Sequence, residues 1–408
     1  MPFTKVVQGV RAWFLGRRLA ERATLGLYVA VVILFLVAMS GFYRKHGGFT
    51  ALIGFGDRFT YRTLPEVQSL PHVTYRNSWG YDGQFYAQLA LEPLLRNPKL
   101  DDALDGPTYR ARRILFAWTA YLLGAGRPAW ILTAFALQNV LAWVILAALM
   151  ARWLPPARIR NLVPWIGCVW SLGLLSSVRD ALLDGPSMLL LALAILAQER
   201  GRSWVSAGIM GVAGLGRESN LAGALLLWER RPVTREEWAR AAARAALALL
   251  PLVVWGMYVQ SRFTGFVDPG PANLAAPFVG YAFKWKTAAA LIAERGWLSD
   301  GGDDVVVLVS LTVQAVFLVL RRQGRNAWWR MAMPYAVLMA TTAIIVWDGT
   351  PAAAPRVLLP MTFGFNVLVA DLRGRWFWPL AIAGNLSVVN GVWLLLGPWL
   401  PAGLAHLT

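Results

Sequence analysis

The residues best suited to chemistry begin at Asp82, in the stretch WGYDGQFYAQLALEP spanning 79–93. A carboxylate among aromatic and amide side chains suits proton abstraction from a hydroxyl, or recognition of a sugar or headgroup. Helical spacing puts Gln84, Gln88 and Glu92 along one face behind it, with Tyr81 and Tyr86 alongside. Asp-Gly is also a turn dipeptide, so Asp82-Gly83, Asp184-Gly185 and Asp348-Gly349 could each close a turn or cap a helix. The amide-rich helix behind Asp82 favours a working carboxylate there. For Asp184 and Asp348 both readings stay open.

Other charges stand where anchoring explains them poorly: Arg179, Asp180 and Asp184 in SSVRDALLDGP, Arg217 and Glu218 in GLGRESN, and Asp348 and Arg356 in VWDGTPAAAPR. Arg217 with Glu218 is either part of a site or an ion pair closing a hairpin. Arg110, Arg112 and Arg113 in YRARRIL offer forked donors for phosphate, or anchors for an interfacial helix. Lys284 and Lys286 in FKWKT read as snorkelling anchors or headgroup contacts. His46, His72 and His406 have no partners at metal-ligand spacing, and a lone Cys168 inside an apolar run excludes a disulfide framework. The sequence holds no P-loop, dinucleotide fingerprint, HExxH or nucleophile elbow. Any group transfer would therefore need a donor delivered within the membrane.

The elements that must position these residues are membrane spans. Of 408 residues, 57% are hydrophobic and 15% charged, too apolar for an ordinary soluble domain. The formal charge of +17 comes without a nucleic-acid motif, and its basic residues flank apolar runs, so it is read as anchoring and topology. Those runs lie near 24–42, 130–151, 161–178, 184–198, 204–228, 245–261, 305–320, 331–347, 357–370 and 376–398. The run 204–228 carries Arg217 and Glu218 at its middle and is read as two short helices meeting at a tip. The run 113–126 is short for a crossing and is read as interfacial. On that topology the segments 1–23, 152–160, 199–203, 229–244, 321–330 and 371–375 face the cytoplasm. They hold 21 of the 39 Lys and Arg but 6 of the 22 Asp and Glu, as the positive-inside rule requires. The N-terminal basic stretch and the run after it are read as a retained first helix with a cytoplasmic N-terminus.

The expected architecture is a single all-α polytopic membrane domain over 1–408, with about eleven spans if the hairpin arms are counted separately. Two large outer loops, 43–129 and 262–304, carry juxtamembrane helices. The same topology gathers Asp82, Glu92, Arg179, Asp180, Asp184, Arg217, Glu218, Asp348 and Arg356 on the outer face, which argues for one outward-opening cavity.

The order of these features resembles the GT-C superfamily of integral-membrane glycosyltransferases. GYDGQFYAQLALEP followed by YRARRIL is similar to the opening loop of bacterial members involved in cell-surface glycopolymer formation, and GLGRESNLAGALLL and APRVLLPMTFGFNVLV are similar to later segments. The resemblance implies a GT-C-like bundle in the bacterial cytoplasmic membrane, using a polyprenyl-phosphate sugar donor and a glycan or glycolipid acceptor. It further implies inverting transfer with Asp82 as general base, Arg217, Arg356 and the Arg110 to Arg113 cluster on the lipid phosphate, and a second acidic residue at Asp180 or Asp184. Many members carry an adjacent acidic pair at the first-loop motif. Here Asp82 stands between Tyr81 and Gly83, which speaks against a divalent metal bridged there. Two rival readings use similar residues: a polymerase or ligase of lipid-linked oligosaccharides, and a glycolipid transporter or assembly partner without chemistry. Transporters often show paired halves, and no internal repeat is evident.

Overall fold

The computed structural model describes residues 19–228, 232–266 and 270–397; His406 lies outside them. The chain is helical nearly throughout, because a backbone in hydrocarbon must satisfy its own hydrogen bonds. Among the described residues four helices are long and apolar enough to cross a membrane: Leu19–His46, Pro128–Met150, Arg235–Arg262 and Asp300–Leu320. Two bent pairs, Ile159–Val169 with Leu172–Arg179 and Phe377–Ala383 with Val388–Leu396, bring the candidates to six if each pair is one span. This is an all-α, membrane-embedded protein.

The remaining apolar runs also fold as helices but stop short. Asp184–Glu199 has 16 residues, Ala327–Thr341 has 15 and Leu359–Ala370 has 12. At 1.5 Å per residue these reach roughly 18–24 Å, against about 30 Å of hydrocarbon. The run 113–126 yields only the nine-residue helix Leu115–Leu123, consistent with a segment that does not cross. The run 204–228 breaks at Arg217, where Ser203–Gly216 ends and a 3₁₀ segment, Glu218–Leu227, begins. Asn220 Nδ2 donates to the Ala213 carbonyl at 2.8 Å across that break.

Buried aromatic and amide contacts join the spans. Phe35 stacks on Trp143 with ring centroids 3.6 Å apart, fixing the first helix to Pro128–Met150. Deeper, Asn366 and Asn385 exchange hydrogen bonds at 3.0 and 2.7 Å, satisfying both amides where the last bent pair breaks.

The first loop is an ordered cap. Short 3₁₀ turns and a parallel pairing of Phe55–Gly56 with Thr74–Tyr75 lead into the helix Gly83–Leu91. Gln84 and Gln88 are its stitching. Gln84 Nε2 donates to the Trp79 carbonyl at 2.8 Å, while Gln88 accepts from Leu64 N at 2.8 Å and donates to Ala103 O at 3.0 Å. Both amides are buried, so Gln84 holds the loop's backbone together instead of facing a substrate. In the second loop the helix Val279–Arg295 is fastened through Lys284. Its ammonium is buried and lies 2.8 Å from Asp304, so Lys284 is neither a snorkelling anchor nor a headgroup contact. Lys286, two residues on, is exposed.

Candidate active site

Asp82 immediately precedes the helix Gly83–Leu91, yet its side chain makes no capping bond. Gly83 follows it for space, since a Cβ there would sit 2.5 Å from the carbonyl oxygens of Asp180 and Ile53. The carboxylate turns instead to Arg110, whose Nη2 donates to Oδ1 at 2.8 Å. Oδ2 accepts no hydrogen bond from the described residues, and the side chain is 36% exposed, into a cavity it lines. Burial pushes the Asp82 carboxyl up, but Arg110, Arg356 and Arg113 outweigh it and hold the group below the usual carboxylate range. Asp82 is therefore ionised at neutral pH.

Arg110 and Arg113 lie one helical turn apart and are both buried. Arg110 forks onto Asp105 with two bonds of 2.7 Å, in addition to Asp82. Arg113 forks onto Glu218 at 2.8 and 2.6 Å, and its guanidinium lies 4.0 Å over the Tyr109 ring. Both also donate to the Tyr86 hydroxyl oxygen, at 3.3 and 3.0 Å. With its oxygen accepting twice, Tyr86 keeps its own proton for a cavity it lines. Arg110 and Arg113 are thus committed to protein carboxylates and orient the site. Arg112 lies 3.6 Å from Glu218.

The opposite wall comes from the broken hairpin and a short helix, Ala353–Val357. Arg217 and Glu218 do not pair with each other. Arg217 is extended (φ −161°, ψ 127°), so successive side chains point apart, Arg217 onto Asp184 and Glu218 onto Arg113. Arg356 has a buried Nε with no hydrogen-bond partner, and so does Arg217. Arg356, without a carboxylate partner among the described residues, is the guanidinium left for an anion, and Arg217 adds one unpartnered Nε beside its pair with Asp184.

No family model, curated protein or solved structure matches this chain. What the site can do has to follow from its geometry.

The cavity has a volume of about 130 Å³, and the charged groups lining it are Asp82, Asp184, Arg113, Arg217 and Arg356. Among the described residues Asp82 is paired with Arg110, Arg113 with Glu218 and Arg217 with Asp184, which leaves Arg356 as the lining guanidinium without a carboxylate partner. A second chamber of about 290 Å³ shares Tyr109, Arg113, Arg217 and Asn273 with the first and continues over Ala222, Leu274 and Leu338. A charged chamber thus adjoins a larger, mostly apolar one, whose polar wall is made by Arg113, Arg217 and Glu218.

Of the two acidic candidates after the third apolar run, Asp184 lines the cavity and Asp180 does not; burial lifts Asp180 above the usual carboxylate range. Glu92 accepts from Arg96 N at 3.3 Å at the far end of its helix, away from the cavity. Asp348 is exposed and accepts from Gly349 N at 2.9 Å, with Gly349 at φ 81°, so this Asp-Gly is a turn. Tyr81 lies under the Arg356 guanidinium, 5.6 Å from its ring centroid. Among the described residues no three His, Cys, Asp or Glu side chains are grouped to hold a metal. Sequence reasoning missed Asp105, Tyr109 and Asn273. Asp105 and Tyr109 had a signal in DGPTYRARR, where an acid and an aromatic ring precede the arginines within about one helical turn. Asn273 had none.

Proposed function

We propose that this chain is an inverting glycosyltransferase of the bacterial cytoplasmic membrane. It moves one sugar from a polyprenyl phosphate to a hydroxyl of a cell-envelope glycan or glycolipid, at the outer face of a bundle of about eleven helices including short ones. One observation carries the reading: an ionised Asp82 with a free oxygen and the guanidinium groups of Arg217 and Arg356, each with an unpartnered Nε, line one cavity that adjoins a mostly apolar chamber.

Asp82 Oδ2 takes the acceptor's proton as the acceptor oxygen attacks the anomeric carbon from the face opposite the phosphate. The bond from that carbon to the phosphate oxygen breaks, and its electron pair stays on the phosphate, whose charge grows by one. Arg356 and Arg217 stabilise that developing charge where water is scarce. Arg110 keeps Asp82 ionised and aimed, Tyr86 offers a hydroxyl proton to the sugar, and the apolar chamber takes the first isoprene units.

The test is sugar transfer from a polyprenyl-phosphate donor by purified Asp82→Asn protein. Loss of about 10²- to 10⁴-fold is expected for removal of a general base. Transfer at the wild-type rate would remove Asp82 from the mechanism.

A further inference from the structure

A second polar feature lies at the other end of the bundle. The helix Arg235–Arg262 and the 3₁₀ segment Glu218–Leu227 enclose a cavity of about 230 Å³. Trp228 and Trp238 line it, with ring centroids 5.6 Å apart and planes at 75°. Leu227, Ala248 and Leu249 form an apolar floor, and Arg244 is the one charged side chain among the described lining residues. Arg244 Nε is buried without a hydrogen-bond partner, and its guanidinium enters no ion pair with a described residue.

Depth follows from the helix itself. Trp255 Nε1 donates to the Ala111 carbonyl at 2.8 Å, which sets residue 255 level with the Arg110 to Arg113 turn. Arg262 bonds the Leu95 carbonyl beyond it. Arg244 lies eighteen residues before Arg262, roughly 27 Å along the helix at 1.5 Å per residue and close to the thickness of the hydrocarbon layer. It is the last charge before the apolar run 245–261. Tryptophan and arginine at that boundary belong at headgroup level.

We propose that this cavity binds the headgroup phosphate of one anionic glycerophospholipid, drawn from the leaflet opposite the Asp82 site. The phosphate takes the orphaned Arg244 donors, and the first methylenes lie on the floor beside the two tryptophans. The Arg244 guanidinium, without an ion-pair partner among the described residues, selects a lipid with net negative charge over a zwitterion, whose own cation already offsets its phosphate. The bound lipid joins the foot of Glu218–Leu227 to the helix Arg235–Arg262. The inference does not depend on the transferase reading.

The full chain is purified, delipidated in detergent and titrated with phosphatidylglycerol or phosphatidylcholine under native mass spectrometry, with thermal unfolding in parallel. One phosphatidylglycerol per chain is expected in preference to phosphatidylcholine. Arg244→Gln should weaken it about fivefold, the equivalent of ~1 kcal/mol per basic residue at the surface. Arg240→Gln should leave it unchanged, because Arg240 is exposed beside Glu236 at 3.8 Å and does not line the cavity. Equal retention of the two lipids, unaltered affinity in Arg244→Gln, or equal thermal protection by inorganic phosphate would overturn the proposal. If Arg244→Gln fails to fold, Trp238→Leu takes its place: weakened phosphatidylglycerol retention supports the site and unchanged retention overturns it.

Discussion

The clamp between Arg113 and Glu218 joins the first loop to the broken hairpin across 105 positions of sequence. Glu218→Gln tests how much it holds. The substitution keeps shape and one acceptor but leaves the Arg113 guanidinium, 8% exposed, without its bidentate counterion. Breaking a fully buried pair costs about 3–5 kcal/mol; Glu218 is 29% exposed and glutamine still accepts, so about 2–3 kcal/mol is expected. At roughly 1.2 °C per kcal/mol for a chain of 408 residues, the unfolding midpoint should fall by about 2–4 °C. Cys168 is the only cysteine and is fully buried, so a thiol-reactive fluorophore reports that midpoint directly. Arg113→Met combined with Glu218→Met removes both charges and should lie closer to wild type than Glu218→Gln does. An unchanged midpoint in Glu218→Gln, or a double variant worse than the sum of its singles, would refute the clamp.

Four further outcomes follow from the site. Asp82 has a depressed pKa, so transfer stays flat as pH falls to about 4, the ordinary carboxylate range, and is lost only below it. Arg110→Gln removes the largest charge that offsets burial of Asp82, so the acid limb of the pH profile moves upward; an unmoved limb contradicts the role given to Arg110. Arg356→Gln removes a charged donor worth about 1.5–3 kcal/mol, so kcat/KM for the lipid donor should fall about 10- to 100-fold with little change in the unfolding midpoint. Gly83→Ala forces a methyl between two backbone carbonyls, which cannot swing aside. Overpacking of about 1–3 kcal/mol and loss of transfer are expected, and a fully active Gly83→Ala protein would contradict the close approach.

The helices were legible because hydropathy reports them directly, and the break at Arg217 because a charged pair cannot sit at the centre of a lipid-facing span. Span number was less legible. Composition does not reveal that Asp184–Glu199 and Leu359–Ala370 end short of a bilayer's thickness. At the site, the helix face bearing Gln84 and Gln88 was correctly periodic, but its partners are loop backbone groups up to 28 residues away, which no local pattern encodes. The arginines of YRARRIL looked free for phosphate, and their sequestration depends on Asp105, Asp82 and Glu218 converging in space. Adjacent Arg217 and Glu218 invited pairing; the extended backbone between them sends each to a different wall. The Lys284–Asp304 pair was hidden for the same reason, its two members lying on different helices.

The most direct measurement is a cryo-EM map of the protein in lipid with a polyprenyl phosphate added. Phosphate density within hydrogen-bond reach of Arg356 and Arg217, with the prenyl chain over Ala222 and Leu338 and the free Asp82 oxygen facing the phosphate, is the predicted result. Phosphate bound elsewhere, or a lipid-free cavity with Asp82 turned away from it, would contradict the transferase account.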